Sequence, residues 1–124
     1  SKKFVFAKIN GSKKVEVWGS GKPKREFMHV DDFSLALIKL AKSYSSYEPI
    51  NVGSGQEITI TNLAKLIKKK LNYNGKIIYN RKYPDGTPRK ILNNKKISNL
   101  GWKPKIKLQD GIDDAIKDFK KNYL

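Results

Sequence analysis

Val15-Glu16-Val17-Trp18 alternates apolar and polar residues and carries two β-branched side chains. That period of two predicts a strand. Gly19-Ser20-Gly21-Lys22-Pro23 breaks it, and Glu26 to Val30 is expected to form a second short strand. Asp31 and Asp32 are candidate N-caps for a helix running to about Ser43, whose apolar positions Phe33, Leu37, Leu40, Ala41 and Tyr44 fall at helical spacing. Pro49 to Gly55 has the pattern of a short buried strand ending in a glycine turn. Thr61 can cap the next helix, with Leu63, Ala64, Leu66, Ile67 and Leu71 on its buried face. Lys68, Lys69 and Lys70 then sit at its C-terminal end, where cations suit the helix dipole. Asn74-Gly75 is a turn before a strand over Lys76–Tyr79. Asn93 or Asn94 can cap a short helix that stops at Gly101. A last helix begins near Leu108, with Ile112, Ala115, Ile116 and Phe119 as its apolar stripe.

Strand and helix patterns therefore interleave in one domain over residues 1–124, an α/β chain of short strands with three or four helices. No repeat, low-complexity linker or internal boundary divides it. Phe4, Val5 and Phe6 are apolar from the outset, the pattern expected of an element continued from something upstream.

Charge changes the picture only in part. The net charge of +16 favours an anionic partner such as a nucleic acid, a phosphorylated small molecule or an acidic membrane surface. Of the 27 basic residues, however, only Arg25, Arg81 and Arg89 are arginine; the lysines, with abundant asparagine, suit generic solvated faces. There is no cysteine and a single histidine, His29, which argues against thiol chemistry, disulfides and a histidine metal site. No apolar run approaches bilayer length, and a cytoplasmic setting is expected.

Catalytic groupings are missing from the pattern. No nucleophile adjoins a base, and no Walker or dinucleotide fingerprint or Tyr-x-x-x-Lys pair is present. Two stiff loops suit binding instead: Trp18 to Arg25, and Pro84-Asp85-Gly86-Thr87-Pro88-Arg89-Lys90. Proline and glycine fix such loops, and rigid loops are where binding groups concentrate. Arg25 follows the first loop and enters a strand. Its guanidinium can hold phosphate oxygens in pairs, or it can pair with Glu26 or Asp32. Trp18 is either a core residue or a wall for a sugar or base. Asp85 can accept hydrogen bonds from hydroxyls or a base edge, and Lys90 can reach a diphosphate. Arg89 serves either role or faces water. His29 fits a structural, hydrogen-bonded role, and Asp31 and Asp32 fit helix caps.

Taken together these residues carry a resemblance. Arg25-Glu26-Phe27-Met28-His29-Val30-Asp31-Asp32 resembles the R-x-F/Y-x-H-V-x-D signature of the extended short-chain dehydrogenases that act on nucleotide sugars. Ile50-Asn51-Val52-Gly53-Ser54-Gly55 is similar to their N-[VI]-G-x-G element. Val17 to Gly21, Pro84 to Lys90 and Leu100-Gly101-Trp102 resemble the GDP-L-fucose synthase branch, whose members are NADPH-dependent 3,5-epimerase/4-reductases. The resemblance runs in order along nearly the whole chain. It implies the small C-terminal substrate-binding part of such an enzyme, without the N-terminal Rossmann domain that carries NADP(H) and the catalytic residues. No cofactor and no catalytic residue is then expected in this chain. Carried over by motif position, the implied substrate-binding residues are Trp18, Arg25 and Asp85, with Lys90, and with Lys3 from its distance before Trp18. The implied partners are a GDP-sugar, the missing Rossmann domain and a second copy in a parent homodimer, with neither membrane nor nucleic acid. Two alternatives remain at this point: part of another nucleotide-sugar epimerase or dehydratase, and a small basic nucleic-acid-binding protein.

Overall fold

The computed structural model describes residues 2–123. The chain runs α1 (Lys2–Ile9), β1 (Lys14–Trp18), β2 (Lys24–Glu26), α2 (Val30–Ser43), β3 (Glu57–Thr59), α3 (Ile60–Lys70), β4 (Lys76–Asn80), β5 (Arg89–Lys90), α4 (Lys95–Asn99) and α5 (Leu108–Tyr123). The described residues thus form five helices rather than three or four, because Lys2–Ile9 is itself helical.

Two small sheets organise these elements. β1 and β4 pair in parallel, placing Val15 opposite Ile77 and Trp18 opposite Asn80. The second sheet has the order β3-β2-β5, with β3 antiparallel and β5 parallel to β2. The expected strand over Glu26–Val30 is displaced toward the N-terminus: β2 ends at Glu26, and α2 already begins at Val30. Glu57–Thr59, not expected as a strand, pairs with β2. The expected strand at Pro49–Gly55 is irregular backbone that enters neither sheet.

The main core joins α1, β1, α3 and α5. Phe4 and Val5 pack with Val15, Ala64, Ile67, Ile116 and Phe119. Each helix contributes one apolar stripe, and burying such stripes together is what holds a domain of this size. Lys70 and Asp113 add an ion pair between α3 and α5. A second, smaller core gathers Ala36, Ile97 and Trp102, with Met28, Leu40 and Val52 packed against it.

The helix caps differ from expectation at two places. His29, not Asp31 or Asp32, is the N-cap of α2: its Nδ1 accepts from the Asp31 amide at 3.2 Å. Asp32 lies one turn in and is only 2% exposed. Its carboxyl accepts the amides of Lys105, at 3.0 and 3.1 Å, and Ile106, at 2.9 Å. A buried acceptor must find such donors, and here the pairing fastens α2 to the segment leading into α5. Thr59 rather than Thr61 caps α3, accepting from the Asn62 amide. Gly101 ends α4 at φ 82°, a left-handed position that suits glycine.

Only part of the stripe expected on α2 faces outward: Leu40 packs against the second core and Tyr44 is half-buried. Phe33, Leu35, Leu37 and Ile38 are exposed, as is Val30 at 66%, while Asp32 and Ala36 form the buried side. Ala41 is exposed too, and Ala115 on α5 likewise, so neither packs as its spacing suggests.

Candidate nucleotide-sugar site

The two stiff loops meet. Gly19 and Gly21 have φ of 81° and 75°, so the turn after β1 uses backbone that only glycine adopts freely. It is anchored at its far end, where the Gly21 carbonyl accepts from the Thr61 amide and hydroxyl at 2.9 and 3.0 Å. Into this turn comes Asp85. Its Oδ1 accepts from the Ser20 amide at 2.7 Å and its Oδ2 from the Ser20 hydroxyl, across 65 residues of sequence. A Cβ on Gly19 would overlap the Asp85 carboxylate, so the close approach needs glycine there as well.

The Ser20 hydroxyl first, and its amide second, hold the Asp85 carboxyl below the usual carboxylate range; Lys22 and Arg81 add weaker attraction against some desolvation. The expected role of Asp85 as a ligand acceptor is therefore joined by a structural one. Each of its oxygens already holds a protein donor and retains one further lone pair.

Arg25 lies on β2 beside this loop. Its Nη1 donates to the carbonyls of Lys24 and Thr87, both at 2.7 Å. The ion pair with Glu26 or Asp32 considered from the sequence does not form. Nη2 and Nε have no hydrogen-bond partner among the described residues, so the outer edge of the guanidinium remains available to an anion. Lys90 is the register partner of Arg25 across β2 and β5 and is exposed. Arg89 is committed elsewhere: with Lys24 it flanks Glu57, at 2.6 and 3.0 Å, and these cations, Arg89 foremost, lower the Glu57 carboxyl's affinity for its proton.

Trp18 is not a core residue. It is 59% exposed at the end of β1. Lys3, from α1, carries its ammonium 4.6 Å from the centroid of the Trp18 ring, a cation–π distance. Trp18 Nε1 donates to Glu16 at 3.1 Å, and Tyr83 stacks on the indole with centroids 4.4 Å apart. Asp85 and Arg25 are thus tied together through the 84–90 loop, Lys3 and Trp18 form a second group with Glu16 and Tyr83 that adjoins the first along the chain at Gly19 and Ser20, and Lys90 stands beside Arg25 without a direct tie to the others. Ser20, Thr87 and Tyr83 were not singled out from the sequence. Only the flanking glycines of Ser20 and the prolines about Thr87 hinted at fixed positions.

What these residues offer is a partly exposed indole flanked by Tyr83 and Lys3, an arginine, nearby lysines and a fixed carboxylate. Both glycine turns, 19–21 and 53–55, lead into strands β2 and β3 instead of a helix N-terminus. They do not fit the strand–turn–helix cradle of a dinucleotide. Among the described residues no group of three or more His, Asp or Glu could hold a metal ion, and no helix is long and apolar enough to cross a membrane.

Residues 3–53 match the model of the NAD dependent epimerase/dehydratase family. The chain is 46% identical over 98% of its length to GDP-L-fucose synthase 1 of Arabidopsis thaliana and covers 38% of that protein. It is 40% identical over 94% of its length to GDP-L-fucose synthase of Sinorhizobium fredii, covering 37% of it. Among solved structures, a GDP-L-fucose synthetase from Naegleria fowleri bound to NADP superposes with a TM-score of 0.91 at 28% identity, over 98% of this chain and 39% of that one. The chain therefore spans somewhat over a third of the length of the relatives it matches.

Proposed function

We propose, from the premise that this chain is similar along nearly its whole length to the C-terminal part of the GDP-L-fucose synthases, that it is the GDP-sugar-binding part of an enzyme of that type. The observation that carries the reading is the joining of the two loops: Asp85 to Ser20, and Arg25 to Thr87. A GDP-sugar presents a planar base, a diphosphate and hydroxyls. Trp18, its ring faces taken by Tyr83 and the Lys3 ammonium, gives the sugar or base an aromatic wall at its exposed edge. Arg25 receives the diphosphate through its free edge, with Lys3 and Lys90 adding positive charge. Asp85 uses its remaining lone pairs on hydroxyl or base donors. The glycine turns of this chain lead into strands and do not fit a dinucleotide. In this reading the cofactor and the groups that react with the sugar belong to the rest of the enzyme, which works in the cytoplasm as a homodimer, and the chain alone has no turnover.

The contribution of this part to the reaction is placement. Binding energy from the nucleotide, remote from the reacting sugar, holds the sugar where the other groups can act on it. The outward apolar face of α2 fits the same reading. Val30, Phe33 and Leu37 lie within one arc of the helix and are uncovered in a chain that spans 38% of its plant relative. Their occupant is the remainder of the enzyme, packed against α2.

The test is Arg25→Ala in the enzyme that contains this chain. Substrate use should weaken by about tenfold or more, the worth of a charge-assisted pair, with NADPH binding unchanged. An unaltered KM and kcat for the GDP-sugar would contradict the proposal.

A further inference from the structure

A cleft of about 330 Å³ opens beside the first turn of α2. Three places supply its walls: Phe27 and Val30 from the entry to α2, Leu63 and Ile67 from α3, Ile112 and Ala115 from α5. Its only polar side chains are His29 and Lys107. Because Nδ1 of His29 accepts the Asp31 amide, the proton of the neutral ring sits on Nε2. That donor has no acceptor among the described residues. Gly111 lets the imidazole lie against α5, since a Cβ there would stand 3.2 Å from its Cδ2.

The cleft continues the outward face of α2. Val30 lines the hollow and, largely exposed, begins the face that runs on to Phe33 and Leu37. We propose that this cleft is the anchor pocket for the rest of the enzyme: it takes apolar side chains from that part, with a peptide carbonyl accepting from His29 Nε2. The proposal rests on the reading that the remainder packs against α2. Three observations select that occupant. The chain covers 38% of its plant relative, so most of an enzyme of that type lies outside it. Cleft and α2 face share Val30, so what covers the face also reaches the hollow. The lining holds no carboxylate and a single lysine, which suits an uncharged apolar occupant. Interfaces concentrate their binding energy where an anchor fills such a hollow. A helix face alone allows several docking poses, whereas a filled hollow fixes one, and that pose sets where Arg25 stands against the reacting groups.

The experiment compares Ala115→Arg in the chain and in the enzyme that contains it, with Leu37→Lys and His29→Ser beside it. The readouts are thermal unfolding, fluorescence of the apolar dye 8-anilinonaphthalene-1-sulfonate, and sedimentation. Ala115 is exposed, so the midpoint of the chain alone should hold. That of the enzyme should fall by about 3 °C or more. The chain should bind the dye and lose most of that binding in Ala115→Arg, and the unaltered enzyme should lack the site. His29→Ser keeps a capping side chain on α2 and removes the Nε2 donor, so it should lower the enzyme's midpoint more than the chain's. An enzyme midpoint lowered by Leu37→Lys but unmoved by Ala115→Arg would overturn the proposal and leave the α2 reading standing. A midpoint unmoved by both would remove that reading. An equal fall of chain and enzyme in Ala115→Arg would overturn it in favour of a cleft packed within the chain. A dye site that persists in the enzyme would put a small-molecule pocket in its place. A chain that sediments as a dimer, and as a monomer in Ala115→Arg, would assign the cleft to a second copy. Equal falls in His29→Ser would overturn the carbonyl contact.

Discussion

The corner where Trp18, Arg25 and the Asp85 loop meet and the outward face of α2 are both open to solvent, but their side chains are in opposite situations. In the corner each exposed group is already held: Asp85 by Ser20, Arg25 by two carbonyls, Trp18 by Glu16, Lys3 and Tyr83. On α2, Val30, Phe33, Leu35, Leu37 and Ile38 present apolar surface that no described residue covers. Scattered exposed apolar residues are ordinary, whereas a contiguous set on one helix marks a surface that another body completes. The polar groups are held within the chain, and in the proposed reading the apolar face is covered by the rest of the enzyme.

Four changes break or sharpen that contrast. The largest effect is expected at the inward side of α2. Asp32→Ala removes a buried acceptor and leaves the amides of Lys105 and Ile106 without their partner, and urea unfolding should show a loss of about 3 kcal/mol. Next is Gly19→Ala, which strains a positive φ and pushes a Cβ into Asp85. Titration should show GDP affinity reduced about tenfold, the equivalent of one strained residue.

A smaller effect follows pH. Ser20 holds the Asp85 carboxyl below its ordinary value, so the stabilisation from this contact is fully present above the ordinary aspartate range. It is lost as pH falls through the lowered value, where the protonated carboxyl no longer accepts from both Ser20 donors. The near-ultraviolet dichroism of the stacked Trp18 and Tyr83 rings, followed during acidification, should fade in that window. Asp85→Asn should start from the weakened signal and lose this transition. Smallest is Leu37→Lys, expected to leave the chain's own stability within about 0.5 kcal/mol while abolishing its association with the rest of the enzyme. A large loss in the isolated chain would mean that the face is already packed.

Periodicity alone revealed much of this architecture. β1, the apolar face of α3, the strand from Lys76 and the helix from Leu108 follow from spacing, because each has one buried side. α1 was hidden by three consecutive apolar residues, Phe4, Val5 and Phe6, which carry no helical period. β3 is extended only because β2 lies beside it, which local pattern does not encode, and 49–55 has strand-like residues without a neighbouring ladder. On α2 the period was right and the buried side only partly so: Leu40 reaches the second core, but a carboxylate, Asp32, sits inside because amides from residues 105 and 106 meet it there. Trp18, Arg25 and Asp85 stood out through stiff loops and family resemblance. The Ser20–Asp85 and Arg25–Thr87 contacts could not, since they join residues 65 and 62 apart. Tyr83 left one faint signal, an asparagine three residues before it at a strand end.

The most direct test of the central claim is calorimetry of the chain with GDP and with UDP, at moderate and at high salt. The account predicts saturable binding that favours GDP and survives salt, because contact with the Trp18 edge and the fixed Arg25 is screened less than attraction to free lysines. Equal binding of the two nucleotides that collapses with salt would contradict it and leave only a basic surface.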